Sequence, residues 1–125
     1  MILNTFNLEG KVAMITGCNT GLGQGMALGL AQAGCDIIGV NRSSASETAK
    51  KLMATGRRFV SITADLSDSH CLESVMDQAL SACPQLDILV NNAGIIRRAD
   101  ALDFSERDWD DVMNVNSKTL FFLSQ

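Results

Sequence analysis

Val12-Ala13-Met14-Ile15-Thr16-Gly17-Cys18-Asn19-Thr20-Gly21-Leu22-Gly23 passes from an apolar run through three glycines into a helical pattern, Leu22, Met26, Leu30. An apolar run of this length, bounded by turn residues, reads as a buried strand. A strand that turns through glycines into a helix leaves backbone N–H groups free at a positive helix end. That is a site for phosphate, and in a strand–helix unit for the pyrophosphate of a dinucleotide.

The same alternation continues along the chain. The first helix is expected over about residues 21–33, with Gly34 as its stop signal. Ile37 to Val40 reads as a second strand, Ser46 to Ala54 as a short helix, and Phe59 to Thr63 as a third strand. A helix is expected from about Cys71 to Ala82, before Pro84, and a fourth strand over Leu86 to Val90. Short continuous apolar strands fit a parallel sheet with helices on both faces. The last helix has the clearest start. Ser105 and Asp108 fit a capping box, and Phe104 and Trp109 fit a hydrophobic staple. Its apolar stripe is expected to run Trp109, Val112, Met113, Leu120, Leu123. The order predicts an α/β fold, a doubly wound parallel sheet of Rossmann-like type. Residues 1–125 carry no linker or repeat and read as a single dinucleotide-binding domain. The chain closes on Leu120-Phe121-Phe122-Leu123-Ser124-Gln125, with no helix stop signal, so we expect these residues to be the N-terminal portion of a longer fold.

Composition narrows the function. With 46% hydrophobic and 19% charged residues the chain reads as globular. A net charge of −4 argues against a nucleic-acid partner, which needs a basic face. No apolar run approaches a membrane span, and the N-terminus lacks signal-peptide character, so a cytoplasmic protein is expected. Four cysteines without short ligand spacing and a single histidine, His70, give no metal site. Buried reduced thiols are the expectation, with Cys18 placed near a helix N-terminus that could lower its pKa.

The glycine spacing Gly17, Gly21, Gly23 departs from G-x-G-x-x-G. Together with Asn91-Asn92-Ala93-Gly94 directly after the fourth strand, it resembles the short-chain dehydrogenase/reductase superfamily. The resemblance spans essentially the whole chain, as the N-terminal half of such an enzyme, and it implies the following roles. Gly17, Gly21 and Gly23 would allow the turn and the approach of the pyrophosphate. Asn19, Thr20 and Leu22 would hydrogen-bond around the phosphates and the adenosine ribose. Asp65, with Leu66 beside it, would accept from the adenine amino group. Asn92, Ala93 and Gly94 would run beside the nicotinamide-side ribose, one asparagine of the pair tying strands together. Asn116, in Asn114-Val115-Asn116, would be the catalytic asparagine that holds a water in a proton relay. On local grounds it sits on the expected apolar stripe, where a buried amide needs dedicated partners.

The end of the second strand chooses the dinucleotide. An acidic residue there favours NAD, and a nearby arginine accommodates the 2′-phosphate of NADP. This chain has Asn41 then Arg42, which leans to NADP on charge, whereas the resemblance implies NAD. The runs Asn91 to Arg98 and Phe104 to Val112 are similar to sugar-acid dehydrogenases of the superfamily. That similarity implies a keto or hydroxy sugar acid as substrate and a homo-oligomer, a tetramer. Arg97 or Arg98 would hold the substrate carboxylate through paired hydrogen bonds. Alternatively these arginines pair on the surface with Asp100, Asp103 or Glu106. The superfamily's catalytic serine and Tyr-x-x-x-Lys are not present, and the chain has no tyrosine. Two functions therefore stand: an oxidoreductase of which these residues supply the cofactor half, or a non-catalytic dinucleotide-binding remnant or interaction module.

Overall fold

The computed structural model describes residues 1–125. A short 3-10 turn, Ile2–Phe6, precedes β1 (Val12–Thr16), α1 (Gly21–Gln32), β2 (Asp36–Asn41), α2 (Ser46–Met53) and β3 (Phe59–Thr63). Another 3-10 turn, Ser69–Cys71, leads into α3 (Leu72–Ala82), then β4 (Ile88–Val90), α4 (Glu106–Met113), a π-helical turn (Asn114–Lys118) and α5 (Thr119–Ser124). All four strands are parallel, in the order β3-β2-β1-β4. This is the doubly wound arrangement. The chain steps one way from β1 to β3, then returns to the other side of β1, and the switch point lies between β1 and β4.

Alternation along β1 explains the two cores. Val12 and Met14 face one side, with Ile38, Val40 and Ile62 from β2 and β3 and with Val75, Ala79 and Leu123 from the helices. Ala13 and Ile15 face the other, with Ile37, Ala27, Ala31 and Leu52. Side chains on successive strand residues point to opposite faces, so a strand covered on both sides is apolar throughout. Burying a large aliphatic side chain stabilises the fold by about 1.5–3 kcal/mol.

Four expectations are corrected. The buried face of α1 is Gly23, Ala27 and Ala31, not Leu22, Met26 and Leu30; Leu22 is 83% exposed. Small residues let the helix lie close against the sheet, and the larger ones flank the contact. The stripe of the last helix differs in part: Leu123 is buried as expected, but Val115 and Thr119 accompany it, while Trp109, Met113 and Leu120 are exposed. The π turn, with the Thr119 N–H reaching back five residues to the Asn114 carbonyl, breaks the single α-helical phase that the stripe assumed. Trp109 is 59% exposed, so the staple is not buried. Finally, β4 starts at Ile88 rather than Leu86, because pairing with β1 begins at Ala13–Ile88. Asp87 instead accepts from the Val12 N–H through its carboxylate.

Candidate functional site

The glycine turn is built at the carboxyl ends of β1 and β4. Gly17 has φ +69°, a conformation that disfavours a side chain, and a Cβ there would lie 3.2 Å from the Ala93 Cα and the Asn92 Nδ2. Gly21 also has positive φ. At Gly23 an added Cβ would collide with the Gly17 carbonyl and the Asn92 amide. Its bareness admits close packing of α1 against the turn. Thr20 caps α1 without a side-chain hydrogen bond, so the N–H groups of the first turn of α1 are left without a side-chain acceptor from the cap.

Thr16 organises the switch point, and the sequence reading missed it. Its hydroxyl accepts from the Asn92 N–H at 3.1 Å and the Ala93 N–H at 2.9 Å, and faces the Val90 carbonyl at 3.5 Å. Asn92 returns the link, its Nδ2 donating to the carbonyls of Thr16 and Gly17 at 3.1 and 3.0 Å. Asn92 is thus the strand-tying asparagine, and Ala93 and Gly94 follow it into the cleft. A hydroxyl at the last residue of a strand, just before a glycine turn, was the available signal.

A cleft of about 490 Å³ opens along this edge. Gly17, Asn19, Asn41, Arg42, Asp65, Leu66, Asn92, Ala93, Gly94 and Arg97 line it. Thr20, Gly21, Leu22, Gly23, Arg98 and Asn116 do not. Ser43, Ser67, Arg107, Asp111 and Val115 line it without having been singled out from the sequence. The Asp65 Oδ1 accepts from the Ser67 N–H at 3.0 Å and the Ser67 hydroxyl at 2.8 Å. Those two bonds, with Arg42 adding a smaller pull, hold its carboxyl below the usual range. Oδ2 takes no hydrogen bond from the chain, so an ionised acceptor faces the cleft region.

Asn41 is buried and turned inward. Its Oδ1 accepts from the Cys18 N–H at 2.7 Å, and its Nδ2 reaches the Cys18 Sγ at 3.5 Å. The Cys18 expectation is corrected with it: burial pushes this thiol up, outweighing the Asn41 hydrogen bond that lowers it. All four cysteines are free. His70 is an exposed residue paired with Asp68 at 2.9 Å.

Asn116 is exposed rather than buried, yet its amide is engaged on both sides. The Ile95 N–H donates to its Oδ1, and its Nδ2 donates to the Ile95 carbonyl, each at 2.9 Å. This double bond pattern ties the π turn to the segment just after Gly94, and π turns recur at functional sites. Arg97 is 3.5 Å from Asp108, not paired with Asp100, Asp103 or Glu106. Ser105 does cap α4, accepting from the Asp108 N–H at 3.1 Å. No helix is long and apolar enough to cross a membrane.

Residues 11–125 match the family described as short chain dehydrogenase. The chain is 63% identical to a 2-dehydro-3-deoxy-D-gluconate 5-dehydrogenase of Dickeya dadantii (strain 3937), over 100% of this chain and 49% of that protein. It resembles a crystal structure from Agrobacterium tumefaciens with bound NADP, with TM-score 0.85 and 46% identity, over 98% of this chain and 48% of the other. A short chain dehydrogenase from Mycobacterium paratuberculosis bound to NAD matches with TM-score 0.84 and 33% identity, over 92% and 48%. The chain spans about half the length of the curated relatives it matches.

Proposed function

The chain belongs to the short-chain dehydrogenase family, and from that premise we propose that it forms the cofactor half of an NAD(P)-dependent oxidoreductase acting on a sugar acid such as 2-dehydro-3-deoxy-D-gluconate. The observation that carries this reading is the cleft at the β1/β4 switch point, with the glycine turn at one wall and Ala93-Gly94 at the other. The residues present fit a dinucleotide: Gly17 has no room for a side chain against Ala93, and α1 starts without a side-chain cap. When bound, the dinucleotide supplies the hydride donor or acceptor at its nicotinamide.

Each wall of the cleft has a separate task in this proposal. The turn from Gly17 to Gly23 holds the pyrophosphate through backbone N–H groups. Asp65 accepts from the adenine amino group through its remaining carboxylate oxygen. Ala93 and Gly94 align the nicotinamide-side ribose. Asn116 keeps one further hydrogen-bond position on each amide atom after binding Ile95, enough to hold a relay water. No carboxylate stands at the end of β2 to repel a 2′-phosphate, and Arg42 lines the cleft, so NAD and NADP both fit. Arg42→Ala then weakens NADPH binding more than NADH binding; equal losses refute the role of Arg42.

Arg97, which lines the cleft, is preferred over Arg98, which does not, as the partner of the substrate carboxylate. In the full-length enzyme Arg97→Met raises the Michaelis constant for the sugar acid about tenfold, roughly 1.4 kcal/mol; an unchanged constant refutes the assignment. Homotetramer formation is supported by the exposed apolar side chains Trp109, Met113 and Phe121, and light scattering tests it. Four free thiols support a cytoplasmic location.

The central test is titration with NADH and NADPH followed by nicotinamide fluorescence. Saturable binding is expected, and no binding of either by about 1 mM, the upper end of ordinary Michaelis constants, refutes the reading. A second reading concerns residues 1–125 taken alone, which carry no tyrosine to act as the general acid: binding without turnover. With the keto acid and NADH or NADPH, the 125 residues alone are expected to show none.

A further inference from the structure

We infer that Thr48, on α2 and outside the cleft, is the positioning residue that sets the glycine turn for dinucleotide binding. The inference rests on the function proposed above. Thr48 is fully buried, yet it is a polar side chain on a helix that lends no residue to the cleft. Its hydroxyl donates to the Cys18 carbonyl at 2.8 Å, with the Asn19 carbonyl at 3.3 Å. It accepts in turn from the Gln24 Nε2 at 2.9 Å, and that same amide reaches the Asn19 carbonyl at 3.3 Å. Lys51, one turn along α2, donates to the Gln24 Oε1 at 2.9 Å. The network therefore joins α2, the first turns of α1, and the carbonyls of the turn between β1 and α1.

Cys18 and Asn19 lie in neither strand nor helix, so their carbonyls have no ladder partner. A peptide unit is planar and trans, with its C=O and the next N–H pointing in opposite directions. Drawing the Cys18 and Asn19 carbonyls toward Thr48 and Gln24 thus turns the Asn19 and Thr20 N–H groups away from α2. Neither N–H makes a hydrogen bond within the chain. Asn19 itself lines the cleft, and its side chain is fixed separately by a 2.9 Å bond to Ser43. Thr48 so aims two free donors of the turn without touching the ligand.

The test is the dissociation constant for NADH and NADPH in Thr48→Val, which keeps the shape and removes the hydroxyl. The expected result is about tenfold weaker binding, the effect of one lost hydrogen bond. Thr48→Ser restores the parent value. Thr55→Val, which removes another α2-end hydroxyl bonded only to its own neighbourhood, leaves it unchanged. The Asn19 amide resonance should shift on adding ligand in the parent and shift less in Thr48→Val. Should Thr48→Val not fold, Gln24→Met, which removes the donor to Thr48 and Asn19, is expected to weaken binding in the same direction. Parent-like affinity in the folded Thr48→Val, or in Gln24→Met where that stands in, overturns the inference while leaving the proposed function intact. No binding by the parent protein overturns both.

Discussion

Replacing Gly23 by alanine and, separately, Gly25 by alanine should move stability in opposite directions, although the two positions lie in the same turn of α1. At Gly23 the added methyl meets the Gly17 carbonyl oxygen and the Asn92 Nδ2 well inside contact distance, with the Gly17 carbonyl carbon at 2.8 Å. Neither neighbour is the loose end of a flexible side chain. One is backbone, and the other is held by bonds to the Thr16 and Gly17 carbonyls at 3.1 and 3.0 Å. Overpacking of this kind costs about 1–3 kcal/mol. Displacing the Asn92 amide forfeits a hydrogen bond or two at about 1 kcal/mol each. The better helix propensity of alanine returns about 1 kcal/mol. The net loss is about 2 kcal/mol, or about 8 °C in melting temperature for a domain of this size. At Gly25 nothing lies within 4 Å, so only the propensity term remains, a gain of about 0.5–1 kcal/mol. Thermal and urea unfolding followed by circular dichroism measure both. A Gly23→Ala protein that melts with the parent would show that α1 is not pressed against the turn and would refute the packing argument.

Three further outcomes follow from the same geometry. Asp87 is held below the usual carboxylate range by the Val12 N–H first, then by Gln85 and Lys11. Its contribution is present above about pH 4 and is lost as pH falls through the lowered folded value. Asp87→Asn should therefore flatten the urea midpoint against pH in that acid window, and an unchanged slope counts against it. Ser105→Ala removes the cap of α4 and should cost about 1 kcal/mol; equal unfolding midpoints would mean that α4 does not depend on its cap. Under native conditions Cys71, the one half-exposed thiol, should be alkylated before Cys18, Cys35 and Cys83, which are buried. Mass spectrometry of timed samples reads the order, and early labelling of Cys18 contradicts its burial.

The strands were legible because each is a short apolar run, and a strand buried on both faces has no other way to look. The order of the sheet was not read from the sequence, which pointed only to a doubly wound type; the order β3-β2-β1-β4 comes from the strand pairing. The face of α1 was misread, because large apolar residues suggest burial more strongly than glycine and alanine do. The choice was made by how closely the helix could approach the sheet, and only small residues permit that approach. The last helix was misread because a π turn changes the angular step, and apolar spacing does not reveal it. Asn41 was read only through the charge it lacks at the end of β2; the structure adds that its amide accepts from the Cys18 N–H of the glycine turn while the residue still lines the cleft.

By itself, then, the sequence determined the order of strands and helices and the edge at which the glycine turn and the Asn91 to Gly94 run meet. These depend on local patterns, which neighbours along the chain are enough to express. Tertiary structure alone decided that Thr16 and Asn92 lock the switch point, that Gly23 is bare for packing, and that Thr48 holds the turn from a distance. The hydrogen bonds among these join residues 24 to 77 positions apart, and all of these contacts are set by how closely two layers pack and by which polar groups that packing leaves without a partner.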